Sequence, residues 1–308
     1  MGHQRTIQKP VSCQGIGLHS GVPVRMTLKP ALANTGIVFQ RRDLPESPIV
    51  GARPENIQAV HHAITLEKKG VTVRTVEHLL SALAGLGVDN LLVELEGGEV
   101  PAMDGSARPF VELLLQAGVR RLFQPKTYLK VKRRILVQEG KRSVQVVPSE
   151  GLKVFYTMSF DHPLLGEQSV AFNISREIYA REIAPSRTFG FLKDVPYLRE
   201  MGLALGGSME NAILVGEEGV LNGGLRYPDE LVRHKVLDLL GDLCLLGKPL
   251  VGTVIAHGAG HSLHAQLVKE IQRQLDLEEA QEASLPTVIE KWVKPLLPIS
   301  EPLETLAF

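Results

Sequence analysis

Apolar and polar positions change period several times along this chain, and each change marks an element. Residues 22–28 (VPVRMTL) alternate, the two-residue repeat of a strand with one buried face, and 36–40 is a short β-branched run. Residues 71–74 read as a further short strand. The Leu- and Ala-rich stretch 75–86 (TVEHLLSALAGL) reads instead as a helix, with Thr75 as N-cap and Gly85 and Gly87 as its stop. Residues 90–95 (NLLVEL) return as a buried strand, and 109–117 as a second helix ending at Gly118.

After Gln124-Pro125-Lys126, the best linker, strand patterns restart over 129–137, 143–147 and 152–158. A helix is expected to begin over 175–180. The longest helical pattern covers 228–246, with Gly247 and Pro249 as stops, followed by a buried strand at 250–255 and a helix at 261–275. The last thirty or so residues are charged and Pro-punctuated, and are expected to form a peripheral tail.

One internal echo stands out. Val76-Glu77-His78 lies seven residues before Gly85, and Val232-Arg233-His234 lies seven before Gly241, each in a helix that leads to an apolar strand. Two copies of one α/β unit would give this pattern, and so would two unrelated Leu-rich helices.

Length and composition narrow the class. At roughly 100–200 residues per domain, 308 residues favour two domains. With 44% hydrophobic and 22% charged residues the chain is an ordinary globular one. Thirty-four basic residues balance 34 acidic ones, which argues against a partner held mainly by phosphate contacts, so no nucleic acid is expected. Cys13 and Cys244 are too few for a cysteine metal framework and are expected as free thiols. The N-terminus carries no apolar signal region, and no stretch approaches the ~20 apolar residues of a membrane span. A cytoplasmic protein without a transmembrane segment is the expectation.

The candidate chemistry begins at His234 and Asp238. Four residues apart on a helix, they share a face, and an imidazole and a carboxylate there either form a surface ion pair or bind one divalent cation. Asp238 sits among Val236, Leu237, Leu239 and Leu240, with Asp242 one turn on, so burying these carboxylates requires a cation or a hydrogen-bonding partner. His78, at the start of the 75–86 helix, would supply a third ligand and leave one position open. Glu77 beside it either takes a proton from water at that position or merely complements the helix dipole.

Among the later histidines, His261 lies where a Gly-rich loop enters a helix and is the preferred acid/base residue. His257 and His264 read as ordinary polar residues, and His61-His62 as exposed ones. The Thr188 hydroxyl is a candidate oxyanion donor, or simply a turn residue. Gly-x-Ser-x-Gly, Walker A and dinucleotide-binding patterns are absent, which argues against serine hydrolases, NTPases and dinucleotide enzymes.

The colinear segments Gly15–Gly21 (GIGLHSG), 75–79 (TVEHL), 103–106 (MDGS), 160–163 (FDHP), 186–191 (SRTFGF), 205–208 (LGGS), 233–235 (RHK) with Asp238, Gly241-Asp242 and Gly260-His261 closely resemble the zinc-dependent UDP-3-O-acyl-N-acetylglucosamine deacetylases of lipid A biosynthesis. The resemblance spans roughly residues 5–268. It implies an α+β fold of two similar α/β sandwich domains from an internal duplication, with the active site at their interface. Residues 1–123 would be the first domain, supplying Glu77 and His78. Residues 127–270 would be the second, supplying His234, Asp238 and His261, and 271–308 the tail.

The same resemblance implies one Zn2+ per chain, held by His78, His234 and Asp238, with Glu77 as general base. Thr188 and His261 would stabilise the oxyanion, His261 would protonate the leaving amine, and Asp242 would hold His261 charged. Lys235 is suited to the substrate diphosphate and Phe160 to the uridine side, with His19 and Phe189 as further substrate contacts. An insert over about 192–213 would form the acyl passage, with Val195, Leu203, Ala204 and Ala212 as lining candidates. A monomer acting on an acylated UDP-N-acetylglucosamine is expected. Two rivals remain: a deacetylase for another N-acyl sugar nucleotide, and a non-catalytic binding module, which would have no use for an open metal position.

Overall fold

Two sheets in this protein share one order over five of their strands. The computed structural model describes residues 2–160, 162 and 165–284. The first sheet contains β1 (Val11–Ile16), β2 (Pro23–Pro30), β3 (Ile37–Arg41), β4 (Ile49–Gly51) and β5 (Leu91–Glu96), laid side by side as β1-β2-β5-β3-β4. The second contains β6 (Ile135–Glu139), β7 (Arg142–Val147), β8 (Leu152–Ser159), β9 (Glu167–Asn173) and β10 (Leu250–His257), as β6-β7-β10-β8-β9. In each, the pair β5–β3 or β10–β8 runs parallel and the other neighbours run antiparallel. Leu129–Lys130 adds a two-residue parallel strand beside β10.

A parallel pair needs a long crossover, and each sheet has one that contains a helix. Helix α1 (Glu77–Leu86) precedes β5 and α2 (Arg108–Ala117) follows it; α3 (Glu230–Cys244) precedes β10 and α4 (His261–Ser284) follows. The element order is thus the same in both halves, a mixed α+β arrangement. Val24, Met26 and Leu28 of β2 and Leu91, Val93 and Leu95 of β5 are buried at every second position, the strand period. All of α1 except Ala84 is buried, so this helix lies in the interior rather than on a surface.

Helices α1 and α3 meet through Gly241. A Cβ at that position would run into the carbonyl oxygen of Glu77, so only glycine lets the two backbones approach this closely. The contact joins the first turn of α1, with Glu77 and His78, to the middle of α3, with Asp238 and Asp242.

Several local expectations shift. The predicted strand over 129–137 breaks into Leu129–Lys130 and β6, separated by the basic run 132–134. The proposed linker is pinned instead: Pro125 ends the strand Val119–Pro125 paired with His3–Ile7, and Lys126 Nζ lies 2.7 Å from the largely buried Asp89 carboxylate. The helix begun at Ser175, whose Oγ accepts from the Ile178 N–H at 3.1 Å, makes one α-turn (Arg176–Ile178) before a wider turn, Tyr179–Ile183.

Residues 1–270 form one unit and 271–308 a second. Of the second unit, 271–284 are the later turns of α4, which runs past the predicted end at 275; the rest of the expected tail lies outside the described residues. Cys13 and Cys244 are free thiols, and among the described residues no helix is long and apolar enough to cross a membrane.

Candidate active site

The start of α1 and the middle of α3 bring His78, His234 and Asp238 together. Asp238 Oδ1 lies 3.3 Å from His234 Nε2 and 3.6 Å from His78 Nε2, and the two rings meet edge to face at 4.9 Å. All three side chains are buried. One ligand atom from each lies within 4.8 Å of the others.

The local bonding prepares these atoms for a cation. His234 Nδ1–H donates to the Ser186 carbonyl at 3.0 Å, which leaves Nε2 with its lone pair facing Asp238. Burial pushes the His234 imidazole down to about 3, so it stays neutral, the form that ligates. Burial works against the Asp238 charge, but the Lys235 ammonium and the His261 imidazolium beside it hold its carboxyl well below the usual range. Lys235 Nζ donates to Asp238 Oδ2 at 2.9 Å, while Oδ1 is buried with no hydrogen-bond partner among the described residues. A buried carboxylate oxygen left unpaired between two imidazole nitrogens is costly unless a cation compensates it. The His2Asp set therefore fits a divalent ion, and its ligand types suit zinc.

Glu77 stands beside this centre, almost wholly buried. Its Oε2 accepts the Ile64 N–H at 3.0 Å, so the segment after His61-His62 fixes its orientation. Burial raises its carboxyl above the ordinary value, against the pull of His261 and His78. His61 and His62 are exposed, as expected of loop histidines.

His261, at the start of α4, closes the other side. Its Nε2 lies 3.8 Å from Asp238 Oδ2 and its Nδ1–H donates to Asp242 Oδ2 at 2.8 Å. Burial disfavours the imidazolium, yet the Asp242, Asp238 and Glu77 carboxylates raise His261 to about 10. His257 is exposed, in keeping with an ordinary polar residue. His264 is not one. It is completely buried, and its Nδ1–H donates to the same Asp242 Oδ2, again at 2.8 Å. Asp242, His261 and His264 form a second group of metal-type ligands, but both Nδ1 atoms are already committed to the carboxylate.

Of the remaining sequence candidates, Lys235 and Phe189 touch this core, and the others are placed by contacts of their own. Thr188 is placed by backbone bonds on both sides: its N–H donates to Gly105 O at 2.8 Å, and its carbonyl accepts the Ile213 N–H at 2.7 Å. Gly105 has φ +80°, and a Cβ there would run into the Asn211 carbonyl, which explains the glycine of the MDGS segment. Its Asp104 is held by Arg226 at 2.9 Å, so that segment acts as a brace for Thr188.

Lys235 Nζ sits 5.3 Å over the Phe189 ring, which meets His234 at 6.2 Å and Phe160 at 5.7 Å. Phe160 is buried in a cluster with Ile213, Val215 and Leu231; Asp161 and Pro163 of its motif lie outside the described residues. Val195, Leu203, Ala204 and Ala212 are all half-buried, Val195 at the start of the short helix Val195–Glu200.

His19 is buried, and its Nδ1 accepts the Ala204 N–H at 3.3 Å, which ties the Gly15–Gly21 segment to the insert. Glu99, which sequence reasoning missed, anchors this segment. Its two oxygens accept the His19 and Ser20 N–H groups, both at 2.9 Å, and Oε1 accepts the Thr75 hydroxyl at 2.8 Å. Burial opposes its charge, but these bonds keep the carboxyl below its usual range. Thr75 is thus no N-cap. It has φ +56° and spends its hydroxyl on Glu99, while Val76 precedes the helix without a side-chain cap.

Three convergent side chains of metal-ligand type with a partnerless carboxylate oxygen, beside a buried glutamate and a carboxylate-held imidazole, fit the class of metal-assisted hydrolases. Comparison with known proteins narrows this class. The profile of the family described as LpxC, UDP-3-O-acyl N-acetylglycosamine deacetylase, matches residues 4–273. UDP-3-O-acyl-N-acetylglucosamine deacetylases are similar throughout: that of Myxococcus xanthus (strain DK1622) is 47% identical over 270 residues, 87% of this chain and 86% of the relative. That of Syntrophus aciditrophicus (strain SB) is 46% identical over 275 residues, 89% and 87% of the two chains. That of Hahella chejuensis (strain KCTC 2396) is 45% identical over 303 residues, 96% and 99%. The chain belongs to the LpxC deacetylase family and is a hydrolase.

Proposed function

We propose that this protein removes the N-acetyl group of a UDP-3-O-acyl-N-acetylglucosamine as acetate, a step of lipid A biosynthesis, with one Zn2+ held by His78, His234 and Asp238. The observation that carries this reading is the buried Asp238 Oδ1, partnerless between two imidazole nitrogens and flanked by Glu77 and His261. Family membership supports the substrate class.

When bound, zinc supplies a Lewis acid that polarises the acetamide carbonyl and acidifies water. The protein's own residues do the rest. Glu77, oriented by the Ile64 N–H, takes the proton from the attacking water. His261, held in its charged form by Asp242, donates a hydrogen bond to the developing oxyanion and a proton to the departing amine. Thr188 adds a hydroxyl donor to the oxyanion from a backbone braced by Gly105 and Ile213.

Lys235, His19, Phe160 and Phe189 are assigned to the nucleotide and sugar side. Val195, Leu203, Ala204 and Ala212 are assigned to the acyl chain. The matched strand orders support an internal duplication, with domains over 1–123 and 127–270 and the site between α1 and α3. A cytoplasmic monomer is the corresponding cellular form.

The test measures bound metal per chain and acetate release from an acylated UDP-N-acetylglucosamine, in the wild type and in His234→Ala. One zinc per chain, lost with turnover in the variant, is the expected result. Zinc without acetate release would point to another N-acyl sugar nucleotide. No metal and no release after zinc is resupplied would end the proposal.

A further inference from the structure

Asp242 makes all its side-chain hydrogen bonds through one oxygen. His261 Nδ1–H and His264 Nδ1–H both donate to Oδ2 at 2.8 Å, and Oδ1 is buried without a partner among the described residues. The two histidines lie three residues apart in the first turn of α4, hence on one face, with their rings at 82° and 6.2 Å apart. On its far side, His264 Nε2 lies 3.0 Å from the Tyr156 hydroxyl, which is 2.9 Å from the Ala259 carbonyl. Tyr156 is on β8, Asp242 on α3 and both histidines on α4, so one chain of contacts runs through three elements.

A lone Nδ1–H from His261 leaves the carboxylate free to turn about χ2 and present either oxygen. A second N–H on the same oxygen, from a side chain wedged against Tyr156, removes that freedom. From this geometry we propose that His264 is a positioning residue, which acts through Asp242 to aim His261 Nε2 at the reacting acetamide. The proposal rests on the role given to His261 above. A plain core residue of this volume would not need Nδ1 on Asp242 Oδ2, whereas a second clamp on that oxygen does.

The experiment compares His264→Leu, His264→Asn and His264→Gln in the full zinc-loaded chain. It measures kcat and KM for acetate release, bound zinc, and the low-field proton resonance of the His261 Nδ1–H. Leucine removes the donor, asparagine places an amide N–H near the Nδ1 position, and glutamine places one near Nε2. His264→Leu is expected to lower kcat about tenfold or more, in the range usual for an outer hydrogen-bond partner. KM and zinc content stay unchanged while the resonance moves or broadens. His264→Asn should recover most of kcat and the wild-type resonance, and His264→Gln should not.

Equal kcat in the asparagine and glutamine variants overturns the proposal, as does wild-type kcat in His264→Leu. Failure of all three to fold makes His264 a folding residue and has the same effect. A wild type that releases no acetate, or a His261→Ala chain with full turnover, counts instead against the deacetylase reading itself.

Discussion

Lys235 holds one oxygen of Asp238 and leaves the other to the two histidines. The Lys235 Nζ–Oδ2 distance is 2.9 Å, and Oδ1 faces His78 and His234 Nε2. A carboxylate anchored in this way offers a cation a single oriented oxygen, the geometry of a one-oxygen ligand beside two imidazoles.

Asp238→Ala is therefore expected to reduce bound zinc from one per chain to a small fraction, measured by elemental analysis after dialysis against a weak chelator. Lys235→Ala should retain the ion but bind it about tenfold more weakly, since only an outer partner of the ligand is lost. Unchanged zinc in Asp238→Ala would remove it from the ligand set.

Glu77→Ala should separate chemistry from metal binding. The residue's Oε2 is bonded to Ile64 rather than to a ligand, so zinc content is expected to stay at the wild-type level. Turnover should fall by about 10²–10⁴-fold, the usual contribution of a positioned general base. Full activity in this variant would assign the proton transfer elsewhere.

The pH profile of kcat/KM follows from two shifts of the same sign. Glu77, raised by burial, accepts a proton only when ionised, so activity should rise with pH through its elevated value. His261, raised to about 10 chiefly against its burial by Asp242 and the other carboxylates, donates only when protonated, so activity should fall above that point. Asp242→Asn removes the first of those carboxylates. The alkaline limb should then move to lower pH and the acid limb much less. An alkaline limb that stays in place would separate it from His261.

Helices and buried strands were the legible part of the fold, because each is written in a local period. The stretch 75–86 could be read as a helix from its Leu, Ala and glycine stop, and the His234–Asp238 spacing from one turn of α3. What could not be read depends on distant partners. Thr75 has the residue type of an N-cap, yet it serves Glu99, 24 positions away. Glu99 lies in no motif of its own, so its bonds to His19 and Ser20 could not be anticipated. His264 was nearer to hand, since a helix starting at His261 places it on the same face. Gly258 and Gly260, just before that helix, carry a loop signal that masks this shared face. Two edge strands were missed for different reasons: β4 is only three residues long, and β9, although its exposure alternates, sets Gln168 beside Val170 and Phe172 on its less exposed face, so its apolar pattern is weak.

Gly241→Ala tests whether the approach of α1 to α3 builds the metal centre. The added methyl meets the Glu77 carbonyl oxygen, carbonyl carbon and Cα, which are backbone atoms of a buried helix and do not give way as a flexible side chain would. Relief requires α1 and α3 to separate, at a cost of about 1–3 kcal/mol by analogy with overpacked cores. Because His78 follows Glu77 directly and Asp238 lies one turn before Asp242 on α3, that separation acts on the His78–Asp238 spacing, now 3.6 Å. Lower thermal stability should therefore come with weaker zinc binding, read together by calorimetry with and without added metal. A variant that loses stability but binds zinc as the wild type does would show that the ligands are placed independently of this contact.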